Sequence, residues 1–402
     1  MPSDSTWRNP ISPNPRKNRL TGEAAEESVS YVSEWFGHRV YPTVTSSAAA
    51  LEAQRTKTCP FLSDVIGDRT ACVKSAASSG ICTISSKSNG PRQDWLVCPL
   101  RAFRPLLLDT SATLLFGGDG SRPARILPAP ALVKPHVREL VMSILNAGGE
   151  CIIYLQNKLG GEISLSRTDR SPELSFDVAM VDLVLTDGLP TIKRFGILEI
   201  QTMDFHGSYR AAVKNLEDAL RLHGNEFQPT LQNNQHWLRD GIEGPNIANV
   251  FKRTFYQMML KFRIGASDVT AGCILALPVS VWESWQRHLG RPDLNPDEGG
   301  VCTLRAPHEP ATSGRPKNWI LVFDVASTSD GGPAALAVNK LIATSSEALS
   351  YYAFEVAPAA ATADGGPVSS IAAQIRIRLS QYWPELAAGL ATKRLSRRKP
   401  RS

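Results

Sequence analysis

The sequence predicts an α/β fold, a mixed sheet flanked by helices, and three observations predict it. Apolar runs of strand-forming composition recur at 163–168, 174–185, 195–201, 272–277 and 319–325. Two segments among them carry apolar residues at helical spacing. In 209–222 these are Val213, Leu216 and Leu220; in 246–263 they are Val250, Phe251, Phe255, Met258 and Phe262. Asp187-Gly188 marks a tight turn after 174–185, so some neighbouring strands run antiparallel while helices flank the others. After the strand 272–277 ends at Pro278, Ser280 is expected to cap a helix with Glu283 at the capping-box position. Residues 290–317, with five prolines and four glycines, are expected to form a loop.

A chain of 402 residues is long for one domain, so two are expected, one of them small. The proline-rich start, 1–30, predicts a disordered arm. Residues 31–130 form the small domain, 131–390 the domain with the strands above, and 391–402 a basic disordered tail. Apolar content of 42% with 20% charged residues describes a soluble globular protein. No run approaches the ~20 apolar residues of a membrane span, and no apolar leader is visible. A cytoplasmic location follows as the expectation, with the seven cysteines reduced. Net charge is +6, and Lys393, Arg394, Arg397, Arg398, Lys399 and Arg401 place six basic residues in the last ten. Such a tail either tracks DNA phosphates or only solubilises.

The most informative run is Phe195–Gln201. Ile197, Leu198 and Ile200 are strand formers, while Glu199 and Gln201, two apart, share one face of the strand. A carboxylate buried there is costly without a cation or donor. Leu174–Met180 is a second apolar run broken by one acid, Asp177. Adjacent strands would bring Asp177 beside Glu199 as an oxygen-rich site for a hard cation such as Mg²⁺. This is the layout of metal-dependent phosphodiester hydrolysis, an Asp followed on the next strand by Glu-x-Lys, with Gln201 in the Lys position. The pattern alone also occurs by chance. Asp182 is the rival acid; five residues from Asp177, it falls on the opposite strand face and is expected to meet solvent or a turn.

Cys59, Cys72, Cys82 and Cys98 lie within forty residues, and Cys59 and Cys98 each precede a proline. Four thiolates can close a tetrahedral site around zinc or iron. The intervals are long and lack a Cys-x-x-Cys knuckle, so ordinary buried cysteines fit the spacing too. The segment 59–98 is expected to have few large apolar residues for a core of its own. Cys151, Cys273 and Cys302 fall outside the cluster and are expected at core or neutral positions. Several residues have two readings. Lys158 and Glu162 either assist the acids or form a surface pair. His206 is either a general base or a structural hydrogen-bonder or phosphate contact. Arg253, Gln257 and Lys261, at i, i+4 and i+8, form a polar stripe that faces either DNA or solvent. Lys193, Arg194 and Arg210 flank the central strand as candidate phosphate contacts.

The stretch Phe195–Tyr209 (FGILEIQTMDFHGSY) resembles the corresponding stretch of the NotI-like family of type II restriction endonucleases. Similar blocks are Trp35–Pro42 (WFGHRVYP), Thr58–Leu62, Asp94–Pro99, Lys158–Glu162, Ser171–Glu173, Ser175–Asp177 and Glu243–Gln257 (EGPNIANVFKRTFYQ), with a further match at Ser280–Trp282 and Ser284–Trp285. The likeness runs from about Tyr31 to about Trp383. The first 25 or so residues, Gly290–Lys317 and the tail match poorly.

The resemblance implies a PD-(D/E)xK-type nuclease core with a small four-cysteine metal-binding domain. It implies Mg²⁺-dependent double-strand cuts in double-stranded DNA at a long palindrome of G and C, GCGGCCGC being the sequence it points to, by a prokaryotic cytoplasmic enzyme. A palindromic site mirrors two-fold symmetry, so a homodimer is expected. Asp177, Glu199 and Gln201 would be catalytic; the family pattern also has Gln in place of Lys. Asp177, Glu199 and the carbonyl of Ile200 would hold Mg²⁺. Cys59, Cys72, Cys82 and Cys98 would hold a structural iron, with zinc as the alternative. Two other readings compete: a non-catalytic DNA-binding protein around the same cysteine site, and a carboxylate-pair hydrolase such as a glycosidase. Gln201, the cysteines and the basic tail count against the latter.

Overall fold

The computed structural model describes residues 29–88, 90–117, 124–310, 314–325, 333–363 and 367–387. The expected basic tail, and the arm up to residue 28, lie outside the described residues.

The described chain opens with a four-stranded antiparallel sheet that sequence reasoning did not anticipate. Its first hairpin joins β1 (Tyr31–Trp35) to β2 (His38–Arg39). Phe36 and Gly37 turn it with φ of 49° and 80°, the two left-handed residues of a type I′ turn. Gly37 also permits close packing, since a Cβ there would lie 2.6 Å from Pro60. Next come α1 (Ala48–Thr56), whose Ser47 cap accepts the Ala50 N–H, and α2 (Pro60–Ile66). The sheet is completed by β3 (Ile81–Lys87) and β4 (Arg92–Leu96), in the order β2-β1-β3-β4. Two further helices, α3 (Pro99–Ala102) and α4 (Pro105–Phe116), each start on a proline, whose fixed φ suits a first helical position.

An eight-stranded mixed sheet forms the centre, in the order β14-β16-β15-β13-β10-β9-β6-β5. Its first strand, β5 (Arg125–Pro128), pairs in parallel with β6 (Cys151–Gln156), and α5 (Pro135–Asn146) connects them. Residues 125–128 belong to the expected small domain by sequence division, yet they form the edge of the large sheet. The apolar run at 163 is a short strand, β7 (Ile163–Leu165), paired with β8 (Leu174–Phe176). The long hairpin of β9 (Val178–Thr186) and β10 (Leu189–Ile200) turns at Asp187-Gly188, as expected. A two-stranded pair, β11 (Phe205–Gly207) and β12 (Ile242–Pro245), brackets α6 (Arg210–His223) and α7 (Phe227–Asn233). The expected long helix is α8 (Ile247–Gly265), which leads into β13 (Thr270–Pro278), parallel to β10.

Helix α9 (Val279–Trp285) starts one residue before the expected cap. Pro278 is its N-cap, and Ser280 lies buried inside the first turn with no partner for its hydroxyl. The expected loop 290–317 contains a strand, β14 (Val301–Thr303), which β16 (Leu336–Thr344) holds in the sheet. Between them in sequence is β15 (Asn318–Val325), parallel to β13.

Both faces of the large sheet are covered. On β10, Leu198 and Ile200 join one core with Phe103, Leu107 and Leu115 from the α3–α4 side. Ile197 joins the other, with Val250, Phe255, Met258 and Phe262 of α8 and Trp282 and Trp285 of α9. The period of two along β10 sorts its side chains between these layers. Gly196 is required by close approach, for a Cβ there would stand 2.7 Å from Leu115. A third core packs Trp35, Phe36 and Ile84 of the small sheet against Val213, Leu216 and Phe227 of α6 and α7. Glu34 and Arg101 lock the small sheet down in a buried bidentate pair at 2.8 and 3.1 Å, and Arg101 also donates to the carbonyl of Ala334. Among the described residues no helix is long and apolar enough to cross a membrane.

Candidate functional site

The hairpin register brings the two acids together. Leu198 lies opposite Val178, so Asp177, just before β9, stands beside Glu199 near the C-terminal end of β10. The Asp177 N–H donates to Glu199 Oε1 at 3.2 Å, and the Ile200 N–H donates to Asp177 Oδ2 at 2.9 Å. Open α/β sheets favour this end of their parallel strands for ligands, because the strands stop there and leave a crevice.

Glu199 and Gln201 both face α8, as two residues of one strand face should. Thr254 and Lys261 of that helix, seven apart and hence on one side, meet them. The Thr254 hydroxyl donates to Gln201 Oε1 at 2.5 Å, and Gln201 Nε2 donates to the carbonyl of Thr202. Lys261 Nζ lies 2.5 Å from Glu199 Oε2, with its side chain only 4% exposed. Sequence reasoning set Lys261 on a polar stripe with Arg253 and Gln257. All three line one cavity, at different depths: Lys261 is buried against a carboxylate, whereas Arg253 is exposed and pairs with Asp204 at 3.0 Å. Ser175, Asp177, Glu199, Gln201, Thr254 and Lys261 line a polar cavity of about 240 Å³. A second cavity, about 270 Å³, opens on the other side of Asp177 and Ile200. Lys158, Glu162 and Cys98 stand on its wall, so the first two, both exposed, border Asp177.

Burial, and then the neighbouring Asp177 carboxylate, push the Glu199 carboxyl up to about 8, outweighing the opposite pull of Lys261. Burial in the cavity wall and the charge of Glu162 also push Asp177 up. Asp177 is exposed, so water tempers that push. Two neighbouring carboxyls that both resist ionisation suit a divalent cation, which would take both as anions. On this donor set the pair fits a hard ion such as Mg²⁺.

Other candidates lie elsewhere. Asp182 was expected at solvent or a turn; it is buried, at 6% exposure, and pairs with Arg194 at 3.3 Å and Lys193 at 3.9 Å. β9 is covered on both faces of the sheet, so the face opposite Asp177 is not a solvent face. Arg194 is thereby tied to Asp182 and donates as well to the carbonyl of Phe116, whereas the Lys193 side chain stays largely exposed. His206 and Arg210 are exposed, in β11 and at the start of α6.

The four cysteines converge from separate elements. Cys59 and Cys98 occupy the N-caps of α2 and α3, each followed by its proline. This is where the Cys-Pro dipeptides acquire a meaning that the intervals alone did not give. The positive end of a helix favours an anionic sulfur. Cys82 lies on β3, and Cys72 is brought in by its N–H bond to the carbonyl of Lys57 at 2.9 Å. The Gly80 N–H points to Cys72 Sγ at 3.4 Å. Cys59, Cys82 and Cys98 form one buried cluster with Phe61, Leu62 and Leu100, and Cys72 packs against it. Among the described residues, however, no group of three or more Cys, His, Asp or Glu stands in metal-ligand geometry. Burial pushes the Cys59 thiol up to about 11 and the Cys82 thiol well above the ordinary thiol value. Four soft donors sharing one cluster with helix N-termini behind two of them fit a thiophilic cation chemically. Of the two readings for Cys151, Cys273 and Cys302, core or neutral, all three take the first: they are buried in the cores. The segment 59–98 buries Phe61, Leu62, Ile81, Ile84, Trp95 and Leu96, more large apolar side chains than its sequence suggested.

The fold and site thus describe a mixed α/β protein with a paired-acid crevice and a neighbouring cysteine cluster. Neither the protein-family models nor the curated proteins compared with the chain give a match.

Proposed function

We propose that the chain is a type II restriction endonuclease with a PD-(D/E)xK-type core, making Mg²⁺-dependent double-strand cuts at a long G/C palindrome. The single observation that carries this reading is the Asp177–Glu199 pair at the strand ends, joined by N–H bonds at 3.2 and 2.9 Å and faced by Lys261 and Gln201. The blocks resembling NotI-like enzymes support it, and these residues fall within or beside them. Asp177 and Glu199 hold the cation in this reading, with the Ile200 carbonyl as a third oxygen. Bound Mg²⁺ would polarise the scissile phosphate and lower the pKa of a water. The water oxygen bonds to phosphorus as the P–O3′ bond breaks. The water's proton leaves to solvent, the 3′ oxygen takes a proton from solvent, and a 5′-phosphate and 3′-hydroxyl result. The four cysteines hold a structural iron, or zinc, in the same reading, and a homodimer matches the two halves of the site.

The test is digestion of a set of sequenced plasmids with MgCl₂, followed by mapping of the ends. Discrete fragments whose ends share one G/C palindrome are expected. Intact plasmids bound by the protein would replace this reading with that of a non-catalytic DNA-binding protein.

Glu199 gives a pH prediction. Its carboxyl is raised to about 8 from an ordinary value of 4.5, so at neutral pH the metal-free site holds a proton there. A raised pKa favours the fold while the acid is protonated. That contribution is fully present below about 4.5 and is lost as pH climbs through about 8. Mg²⁺ must displace the proton, so its affinity should rise from pH 6 toward about pH 8 and then level off. Calorimetric titration of the protein with MgCl₂ across this range, in two buffers of different ionisation enthalpy, reads the protons released. Affinity flat with pH would mean that Glu199 is already ionised.

A further inference from the structure

We propose that Lys261 supplies from α8 the positive charge missing from strand position 201, its ammonium holding a non-bridging oxygen of the scissile phosphate in the cavity beside Glu199. The inference rests on the nuclease reading and adds to it a residue that contacts substrate.

Four observations carry it. Lys261 reaches the metal-binding acid from a different element, 2.5 Å from Glu199 Oε2, and lines the same cavity as Asp177, Glu199 and Gln201. An ammonium has three donors, and among the described residues only Glu199 accepts from it; the ring of Phe176, 5.8 Å away, is its other neighbour. Two donors therefore remain for a ligand in a cavity with polar walls. Gln201 cannot take over the role of a cation, since it is neutral and its amide is tied to Thr254 and Thr202. Charge also balances. Two carboxylates, one ammonium, one divalent cation and one phosphodiester sum to zero, whereas without the ammonium a net negative charge would be left in a buried site. A lysine that only neutralised Glu199 would need none of its spare donors and would not sense the phosphate.

The experiment separates these roles. The wild-type chain is first digested against sequenced plasmids with MgCl₂, and a short duplex carrying the mapped site is then made in two forms. One is natural, and the other has an uncharged methylphosphonate at the scissile linkage. Binding of both is measured with Ca²⁺ in place of Mg²⁺. Wild type should lose about tenfold in affinity on the methylphosphonate, the usual scale of one charge-assisted hydrogen bond. Lys261→Met should bind the natural duplex about tenfold more weakly and lose little further on the methylphosphonate, the signature of two changes acting on one contact. Adding Gln201→Lys to Lys261→Met should restore cleavage at least tenfold. Should Lys261→Met fail to fold, the same comparison is made between Glu199→Gln and Glu199→Gln/Lys261→Met, which removes both halves of the ion pair. Full methylphosphonate sensitivity in the folded lysine-free variant would overturn the role of Lys261 while leaving the nuclease reading intact. Plasmids left uncut by wild type would overturn both.

Discussion

Asp177→Asn and Glu199→Gln should each abolish DNA cleavage while leaving site-specific binding within a few-fold of wild type. In the nuclease reading, removing one carboxylate would take a charge from the cation's ligand set, and that charge counts most where negative charge develops, in the transition state. Losing one preorganised electrostatic group commonly costs about 10²–10³ in rate, and a direct ligand to the ion should cost more. Asp177→Asn is the cleaner of the two. The asparagine oxygen can still accept the Ile200 N–H, which Asp177 Oδ2 accepts at 2.9 Å, so the turn before β9 keeps its geometry. Glu199→Gln keeps an acceptor for the Asp177 N–H, but wherever Glu199 is ionised, above about pH 8 or with the cation bound, it leaves Lys261 without its counter-charge, so some loss of stability under those conditions should accompany the loss of activity. Rates on a plasmid substrate, paired with gel-shift binding in Ca²⁺, separate the two effects. Near-normal cleavage by either variant would sink the assignment of these acids.

How much of this site was legible in the sequence depended on what each residue's pattern encodes. Asp177 and Glu199 were readable because each interrupts an apolar strand, and the turn at Asp187-Gly188 fixes a hairpin register that makes them neighbours. Lys261 was not. At helical spacing it falls in line with Arg253 and Gln257, and nothing in that spacing says that the far end of the stripe runs under the strand carrying Glu199. The signal that existed was seven-residue spacing from Thr254 to Lys261 facing a two-residue spacing from Glu199 to Gln201, and it becomes a signal only once α8 is known to pack on β10. Asp182 was misplaced for a related reason. Alternation separates inside from outside only when one sheet face is wet, and β9 has none.

The fold shows the same division. The long runs behind β10, α8 and β13 announced themselves through sustained periodicity. The small sheet did not, because β2 is the pair His38–Arg39 and β1 packs its polar Ser33 and Glu34 inward, the latter against Arg101. β14 was hidden in a proline- and glycine-rich stretch and is held by its parallel pairing to β16 and a bridge from Pro296 to Cys302. Short strands owe their existence to partners far away in the chain, which local composition does not record.

Serine in place of Cys59, Cys72, Cys82 or Cys98, one at a time, should release a tightly held ion, one per chain, and lower thermal stability. Serine is a poor ligand for the soft cation that four thiolates select, and metal ligation in small sites carries apparent energies of about 10–16 kcal/mol. The loss of stability should fall well short of that figure. Phe61, Leu62 and Leu100 pack directly against the cluster, and the Arg101 guanidinium lies 5.0 Å over the Phe61 ring. The segment is thus partly held by its own apolar contacts, and the stretch around the half-exposed Cys72 should loosen first. The effect on cleavage should differ between sites. Cys98 lines the cavity that also reaches Asp177 and Ile200, so Cys98→Ser should slow cleavage more than Cys72→Ser. Cys273→Ser should keep the full metal content, although a hydroxyl buried in that core destabilises on its own account. EDTA should stop cleavage by removing Mg²⁺, restore it on Mg²⁺ addition, and leave the cysteine-bound ion in place. Elemental analysis of the purified proteins decides between iron and zinc and tests the site itself. Active enzyme with a metal content near zero, or four harmless Cys→Ser changes, would refute it.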